Sequence, residues 1–401
     1  MEVKDIPVLL LTGYLGSGKT TLVNHILANK QGIRFAVIVN DIGEVNIDAK
    51  LIQRQGVVSS KDESLVALQN GCICCTLRTD LIEQLYELMK MQCFDYIVIE
   101  ASGICEPEPI AQTISTIPQL GGGYTRYGNC RMDCIVTVVD ALRMKDEFAS
   151  GKNLTQEHID EDDVANLLIQ QIEFCNVVLL NKASDVAEED RELIKQIIHT
   201  LQPAAKIIEC DHANVDLDML INTYSFDFRH IAASAGWLQS MNKSVDELEA
   251  EEHHHHDHDH EHCHHHHCHC HDEEHGEADE YGISSFVYYR RPAFDMNKFD
   301  YYIINHWPKN VIRCKGLCYF KDERDMSYVF EQAGTQKQLS AIGEWYATMP
   351  QAKLMMILQQ EPSLAEDWDE EYGDRMQKLV FIGQHMNREQ IIHDLDECLE
   401  D

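Results

Sequence analysis

Positive charge is scarce in this chain of 401 residues: 33 Lys and Arg face 68 Asp and Glu, a formal net charge of −35. A surface so short of cations is a poor match for a phosphate backbone, so nucleic-acid binding is excluded as the main task. A polybasic membrane dock is disfavoured for the same reason. Long apolar runs are missing as well. No stretch of about 18 uninterrupted apolar residues occurs, so the pattern offers no transmembrane helix and no membrane partner is expected. The early N-terminus holds Lys4 as its only cation, and the apolar run Pro7 to Leu11 leads into a Gly-rich turn rather than a small-residue cleavage site. A cytoplasmic protein is therefore expected. Fifteen cysteines without a secretion signal read as metal ligands and reduced core thiols rather than disulfides.

What is present is ordinary globular composition, 44% hydrophobic and 25% charged, with enough chain for two or three domains at the usual ~100 to 200 residues each. Short apolar runs at Val8 to Leu11, Phe35 to Val39, Tyr96 to Ile99, Ile135 to Val139 and Val177 to Leu180 alternate with polar or helix-like stretches. Continuous apolar strands of this kind are buried on both faces, which predicts an α/β parallel sheet with helices on both sides over residues 1–225. From 226 to 281 the composition shifts: Asp246 to Glu280 holds 14 acidic residues and no Lys or Arg, and reads as an acidic, His-rich linker. Beyond it, residues 282–401 predict a smaller α+β domain. Its expected strands are Gly282 to Tyr289, Asn310 to Phe320, Ser327 to Phe330, Lys353 to Gln359 and Leu379 to Ile382, flanked by helices at Asp295 to His306 and Arg388 to Leu399.

Gly13-Tyr14-Leu15-Gly16-Ser17-Gly18-Lys19-Thr20 fits GxxxxGK[ST] between an apolar strand and a helix, the context of a phosphate-binding P-loop. The glycines let backbone amides turn inward around phosphate oxygens, Lys19 reaches the terminal phosphates, and the Thr20 hydroxyl suits Mg²⁺. The fold class is thus a P-loop NTPase sheet plus a C-terminal α+β domain. The run Asp95 to Glu100 ends in a carboxylate, followed by Ala101-Ser102-Gly103. Glu100 can hold Mg²⁺ through water or orient an attacking water, with an ordinary polar strand end as the plainer alternative. Asn181-Lys182-Ala183-Ser184-Asp185 follows the strand Val177 to Leu180, where an Asp would accept two hydrogen bonds from guanine that adenine cannot supply. The common spacing is NKxD, one residue shorter. Either the loop bulges to place Asp185, or Ser184 takes that slot and guanine selectivity weakens. The nucleotide-contacting set is Gly13, Gly16, Ser17, Gly18, Lys19, Thr20, Thr21, Asn181, Lys182 and Asp185, with Lys19 and Glu100 as the catalytic candidates.

Gly71-Cys72-Ile73-Cys74-Cys75 places three thiols in four residues, just before a helix-like stretch. Thiolates converging from one tight loop suit zinc or Cu(I) better than magnesium, and a helix N-terminus lowers their pKa. Buried inert cysteines and a redox relay are the alternatives. The tract from His253 to His275 holds 14 of the 22 histidines. Among them, His253, His254, His255, His256, His258, His260 and His262, interspersed with carboxylates, offer weak sites for Zn²⁺, Ni²⁺ or Co²⁺. A merely solubilising linker would not need them. The pairs Cys130 and Cys134, and Cys314 and Cys318, have a four-residue offset that could chelate on a helix, but at least one pair lies in a strand-like run, which favours core or surface thiols over ligands. Cys93, Cys175, Cys210 and Cys398 read as structural. Asp41, Glu44 and Asp48 follow the strand Phe35 to Val39, where they could sense a γ-phosphate through Mg²⁺ or complete a metal site beside the thiols.

Taken in this order, the motifs resemble those of the CobW-type P-loop GTPases, a cytosolic family of metallochaperones. The resemblance spans the P-loop, the stretch Asn40 to Asp48, Gly71 to Cys75, Glu100 to Gly103, Asn181-Lys182, the His-rich linker and the C-terminal domain ending in Leu379 to Gly383. It implies GTP hydrolysis with Mg²⁺, coupled to delivery of a metal to a client metalloprotein by a monomer or weak homo-oligomer. Zn²⁺ on Cys72, Cys74 and Cys75 is the implied cargo, with Co²⁺ or Ni²⁺ as alternatives. Two departures stand out: Asp41 replaces the family's usual Glu, and Cys105 replaces a small residue near the nucleotide, which makes it a candidate extra ligand. A cobalt chaperone, a metal buffer working through the His-rich tract, and a small-molecule kinase are the competing functions.

Overall fold

The computed structural model describes residues 5–28, 32–39, 78–121, 123–146, 162–241, 282–334, 336–360, 364 and 368–400. They form two compact units, Met1–Gly236 and Trp237–Asp401.

The first unit is built on a six-stranded sheet. Its strands are β1 (Asp5–Thr12), β2 (Phe35–Val39), β3 (Tyr96–Glu100), β4 (Asn129–Asp140), β5 (Val177–Asn181) and β6 (Lys206–Cys210). The order across the sheet is β2-β3-β1-β4-β5-β6, and every pairing is parallel. β2, β3 and β5 are buried at all five positions, as uninterrupted Val, Ile and Leu require of strands covered on both faces. β6 is an edge strand, and four of its five residues are only half-buried or exposed; its weaker apolar character hides it from a hydrophobic-run reading. The helices Lys19–Leu27, Arg78–Met91, Pro107–Leu120, Asp162–Glu173 and Glu188–Leu201 connect the strands. Because the strands are parallel, their carboxyl ends share one edge. Val39 and Leu11 both pair with Glu100, Thr12 pairs with Thr137, and Asn181 sits between Asp140 and Cys210.

One residue of β4 breaks the register. Val8 pairs with Met132 and Leu9 with Cys134, so Asp133 is the extra residue of a bulge. It is fully buried. The Tyr96 hydroxyl donates to its Oδ2 at 2.6 Å, and the backbone amides of Thr223 and Tyr224 donate to its carboxylate at 3.2 and 2.8 Å. Three donors keep this carboxylate satisfied without a water shell and pin the segment 222–226 against the sheet. Burial, with the bond to Asp133 behind it, holds the Tyr96 phenol far above its usual range.

The second unit holds a five-stranded antiparallel sheet in the order β10-β9-β8-β11-β7. The strands are β7 (Ile283–Arg290), β8 (Val311–Cys318), β9 (Met326–Ala333), β10 (Gln336–Glu344) and β11 (Gln377–Gln384). Phe286 stacks on Phe381 at 5.0 Å, and Phe294 on Phe299 at 4.7 Å, in a core closed by the helices Met296–Asn305 and Arg388–Asp396. Asp295 caps the first of these by accepting from the amides of Asn297 and Lys298 at 2.9 and 3.2 Å.

Two features of this unit differ from expectation. Lys353 to Gln359, expected as a strand, lies within the helix Gln351–Gln360. A run of Leu, Met and Gln, mostly unbranched, favours helix, and a short apolar run has too little period to separate the two. Conversely, β10 is a largely polar and exposed strand at the sheet edge, without the apolar run that would announce it. Of the stretch expected to link the domains, residues 226–241 are described and hold two short helices, Phe228–Ser234 and Gly236–Met241. Residues 242–281 lie outside the described ones. Among the described residues no helix is long and apolar enough to cross a membrane.

Candidate functional site

The loop between β1 and the helix Lys19–Leu27 occupies the carboxyl edge of the parallel sheet. Two glycines make it possible. Gly13 has φ +131°, and a Cβ there would stand 2.2 Å from the Val138 carbonyl oxygen of β4. Gly18 has φ +114°, and its Cβ would meet the Asn181 side-chain nitrogen at 2.4 Å. The Lys19 ammonium folds back across the loop, donating to the carbonyls of Gly13 at 2.7 Å and Tyr14 at 3.1 Å. Its side chain is 7% exposed, so a positive charge is held within the cradle rather than in water. Ser17 is 1% exposed, and its hydroxyl has no hydrogen-bond partner among the described residues. An orphaned hydroxyl, a confined ammonium and a helix N-terminus all aimed at one loop are donors suited to phosphate oxygens. The residues present therefore fit the triphosphate of a nucleotide.

Thr20 donates from Oγ1 to Glu100 Oε1 at 2.8 Å, and Glu100 is 3% exposed. The pair joins the first turn of the helix to the end of β3, and a hydroxyl plus a buried carboxylate form a hard-oxygen set appropriate to Mg²⁺. Thr21, next along, is exposed. After Glu100 the chain turns through Ser102 and Gly103. A Cβ on Gly103 would lie 2.7 Å from the Leu15 amide nitrogen, so this turn packs directly on the P-loop.

Asn181 is the keystone of the other side. It is 2% exposed; its Nδ2 donates to the Ser17 carbonyl at 2.7 Å, and its Oδ1 accepts from the Ala213 amide at 2.8 Å. It thus ties the P-loop to the segment after β6. Lys182 adopts the left-handed conformation, φ +59°, and its ammonium pairs with Asp140 at the end of β4. Ser184 donates through both its amide, at 3.0 Å, and its hydroxyl, at 2.9 Å, to Asp211 Oδ1. These two bonds hold the Asp211 carboxyl below its ordinary range. Asp185 is exposed at the end of the short turn Ala183–Asp185. Ser184 is exposed as well, but its hydroxyl is committed to Asp211.

Asp140 and Asp211 were not singled out from the sequence, although the signal for Asp140 was there. Like Glu100, it is an acid that ends an apolar strand. Asp41, Glu44, Cys72, Cys74, Cys75 and the histidines His253 to His262 lie outside the described residues. Among the described residues no three His, Cys, Asp or Glu side chains gather where they could hold a metal ion. Cys105 is buried, and its carbonyl accepts from Gln171 Nε2 at 3.1 Å.

Apart from the half-buried Cys93, the other described thiols are buried. Cys130 and Cys134 lie in β4, and Cys314 and Cys318 in β8, where residues four apart on a strand stand roughly 13 Å from each other and cannot chelate one ion. Burial pushes the Cys130, Cys134 and Cys175 thiols up to about 12, and those of Cys314 and Cys318 also upward. Native protein at pH 8 is therefore expected to leave these five thiols unlabelled by a brief pulse of iodoacetamide, whereas unfolded protein labels all of them; peptide mass spectrometry reads the difference. Rapid native labelling of Cys134 or Cys314 would contradict this.

Comparison with known proteins matches residues 7–209 to the CobW/HypB/UreG nucleotide-binding domain and residues 283–399 to the C-terminal domain of the cobalamin synthesis protein cobW. The zinc-regulated GTPase metalloprotein activator 1 of Dictyostelium discoideum is 34% identical over 413 residues, covering 99% of this chain and 80% of that protein. The zinc chaperone CobW of Pseudomonas aeruginosa is 31% identical over 229 residues, 54% of this chain and 59% of that one. The zinc chaperone YjiA of Escherichia coli is 33% identical over 230 residues, 56% of this chain and 63% of that one.

Proposed function

This chain belongs to the CobW/HypB/UreG family and is a P-loop GTPase, and from that premise we propose that it carries zinc on Cys72, Cys74 and Cys75 and passes it to a client metalloprotein under control of the bound nucleotide. In the hydrolytic step, water attacks the γ-phosphorus of GTP, the bond to the β–γ bridging oxygen breaks, and phosphate leaves. The P-loop amides and Lys19 hold the phosphates, and Glu100, beside Thr20, orients the water. Thr20 and Glu100 would hold Mg²⁺, which would supply positive charge against the phosphate oxygens. No Gln or arginine finger is assigned to the transition state by the sequence, so basal turnover is slow.

Position supports the coupling. Val39, the last residue of β2, pairs with Glu100, and the chain that leaves it carries Asp41 and Glu44 within five residues and the thiol trio before the helix Arg78–Met91. One segment thus begins beside the catalytic carboxylate and includes the proposed cargo site. The relatives named for zinc favour that ion over cobalt or nickel. The His-rich tract, His253 to His275, supplies weak storage sites for the same metal.

The experiment is chelator competition for Zn²⁺ on the full chain and on a variant lacking His253 to His275, each with Mg²⁺ and a GTP analogue or with GDP. A nucleotide-dependent change in affinity of about fivefold or more, lost in Cys74→Ser, is expected, and by reciprocity zinc must change GTP affinity by the same factor. Equal zinc affinity in both nucleotide states would leave a GTPase with a separate metal store.

A further inference from the structure

β4 ends in Asp140, whose carboxylate serves two neighbours at once. Its Oδ1 accepts from the amides of Leu142 at 3.1 Å and Arg143 at 3.3 Å, capping the short helix Ala141–Met144. Its other oxygen pairs with the Lys182 ammonium. The cap sets the direction in which Arg143 leaves the backbone, and the guanidinium carbon stands 3.8 Å from the centre of the Tyr14 ring. That is well inside the range in which a cation is drawn to an aromatic face.

Tyr14 is the residue on which the P-loop closes. Its carbonyl accepts from the Lys19 ammonium at 3.1 Å and from the Ser17 amide at 3.2 Å. Both side chain and carbonyl are thus engaged, one from the short helix that follows β4 and one from within the loop. Neither Tyr14 nor Arg143 is required by GxxxxGK[ST], in which the second position is free. A loop that must present several amides and an ammonium together loses affinity whenever it samples other conformations, because only the competent fraction binds.

We propose that Arg143 is a positioning residue of the nucleotide site: its guanidinium clamps the Tyr14 ring and holds the P-loop in the phosphate-cradling conformation, and Asp140 links this clamp to Lys182 on the Asn181–Asp185 turn. The inference rests on the reading of the P-loop as the nucleotide site. It assigns the cation–aromatic contact to ligand binding rather than to the stability of the sheet, whose strands pair without it.

The test is fluorescent GDP and GTP binding to the full chain, with the melting temperature of nucleotide-free protein measured in parallel. Arg143→Ala and Tyr14→Leu are each expected to weaken both nucleotides about fivefold, mainly through faster dissociation, with the nucleotide-free melting temperature little changed. The double variant should lose no more than either single one, since each removes the same contact. Relative to Tyr14→Leu, Tyr14→Phe restores most of the affinity because the ring face is kept, and Arg143→Lys restores part of it. Unchanged affinity in Arg143→Ala, additive losses in the double variant, or no recovery in Tyr14→Phe would overturn the clamp. A parent chain that bound neither nucleotide would overturn the P-loop reading itself, a result visible before any variant is made.

Discussion

Alanine at Gly13 is expected to reduce GDP and GTP affinity at least about a hundredfold, close to 3 kcal/mol or more, in a protein that still folds. A Cβ there would sit 2.2 Å from the Val138 carbonyl oxygen, and the backbone at φ +131° is one that L-residues rarely adopt. Val138 cannot yield, because it pairs with Leu179 of β5 while its neighbours Val136 and Thr137 pair with Leu11 and Thr12 of β1. The loop must move instead, carrying away the carbonyls that seat Lys19. Gly16 provides the contrast, since a Cβ there meets nothing within 4 Å and only φ +78° resists it. Gly16→Ala should therefore cost far less, on the order of fivefold. Titration with a fluorescent nucleotide, with circular dichroism to confirm the fold, separates the two. Near-normal binding by Gly13→Ala would mean that the close approach to β4 is not what shapes the cradle.

Glu100→Gln is the variant expected to damage turnover most selectively. Glutamine keeps the size of the side chain and can still accept from Thr20 through its Oε1, so the 2.8 Å contact between helix and strand survives. What is lost is a negative charge at a position only 3% exposed, and with it the means by which, in the proposed mechanism, Glu100 orders an attacking water and helps to hold Mg²⁺. Single-turnover phosphate release should fall about a hundredfold, the Mg²⁺ concentration for half-maximal rate should rise, and GDP affinity should change little. A rate within threefold of the parent protein would reassign Glu100 to a structural role.

Much of this site is written in local pattern. The P-loop is contiguous, its strand and helix are both strongly patterned, and Glu100 ends an unbroken apolar run, so periodicity and a short motif suffice. Asn181 was legible as a residue expected near the nucleotide, but its part in the structure was not: it bridges Ser17 and Ala213, 164 and 32 residues away. No spacing along the chain announces a contact of that range. The same holds for Asp133, where a bulge in β4 and an acid at an otherwise apolar position become meaningful only once Tyr96 and the segment 222–226 are seen to converge on it. In the C-terminal unit the misreadings have a simpler origin. Lys353 to Gln359 is apolar without being a strand, and β10 is a strand without being apolar, so burial pattern and strand pairing part company at the sheet's periphery.

The order β2-β3-β1-β4-β5-β6 also sets a timetable for synthesis. β1 is an inner strand of the sheet, and both of its neighbours come later in the chain, β3 ending at Glu100 and β4 at Asp140. At roughly 5 to 20 residues per second, the ribosome needs on the order of ten seconds between releasing β1 and releasing the second strand that covers it. During that interval Val8 to Leu11, all of them buried in the finished protein, have no strand to pair with on at least one side. Nascent chains of this protein should therefore lean on holdase chaperones until β4 has emerged, and slowing translation between β1 and β4 should raise aggregation more than slowing it after β5.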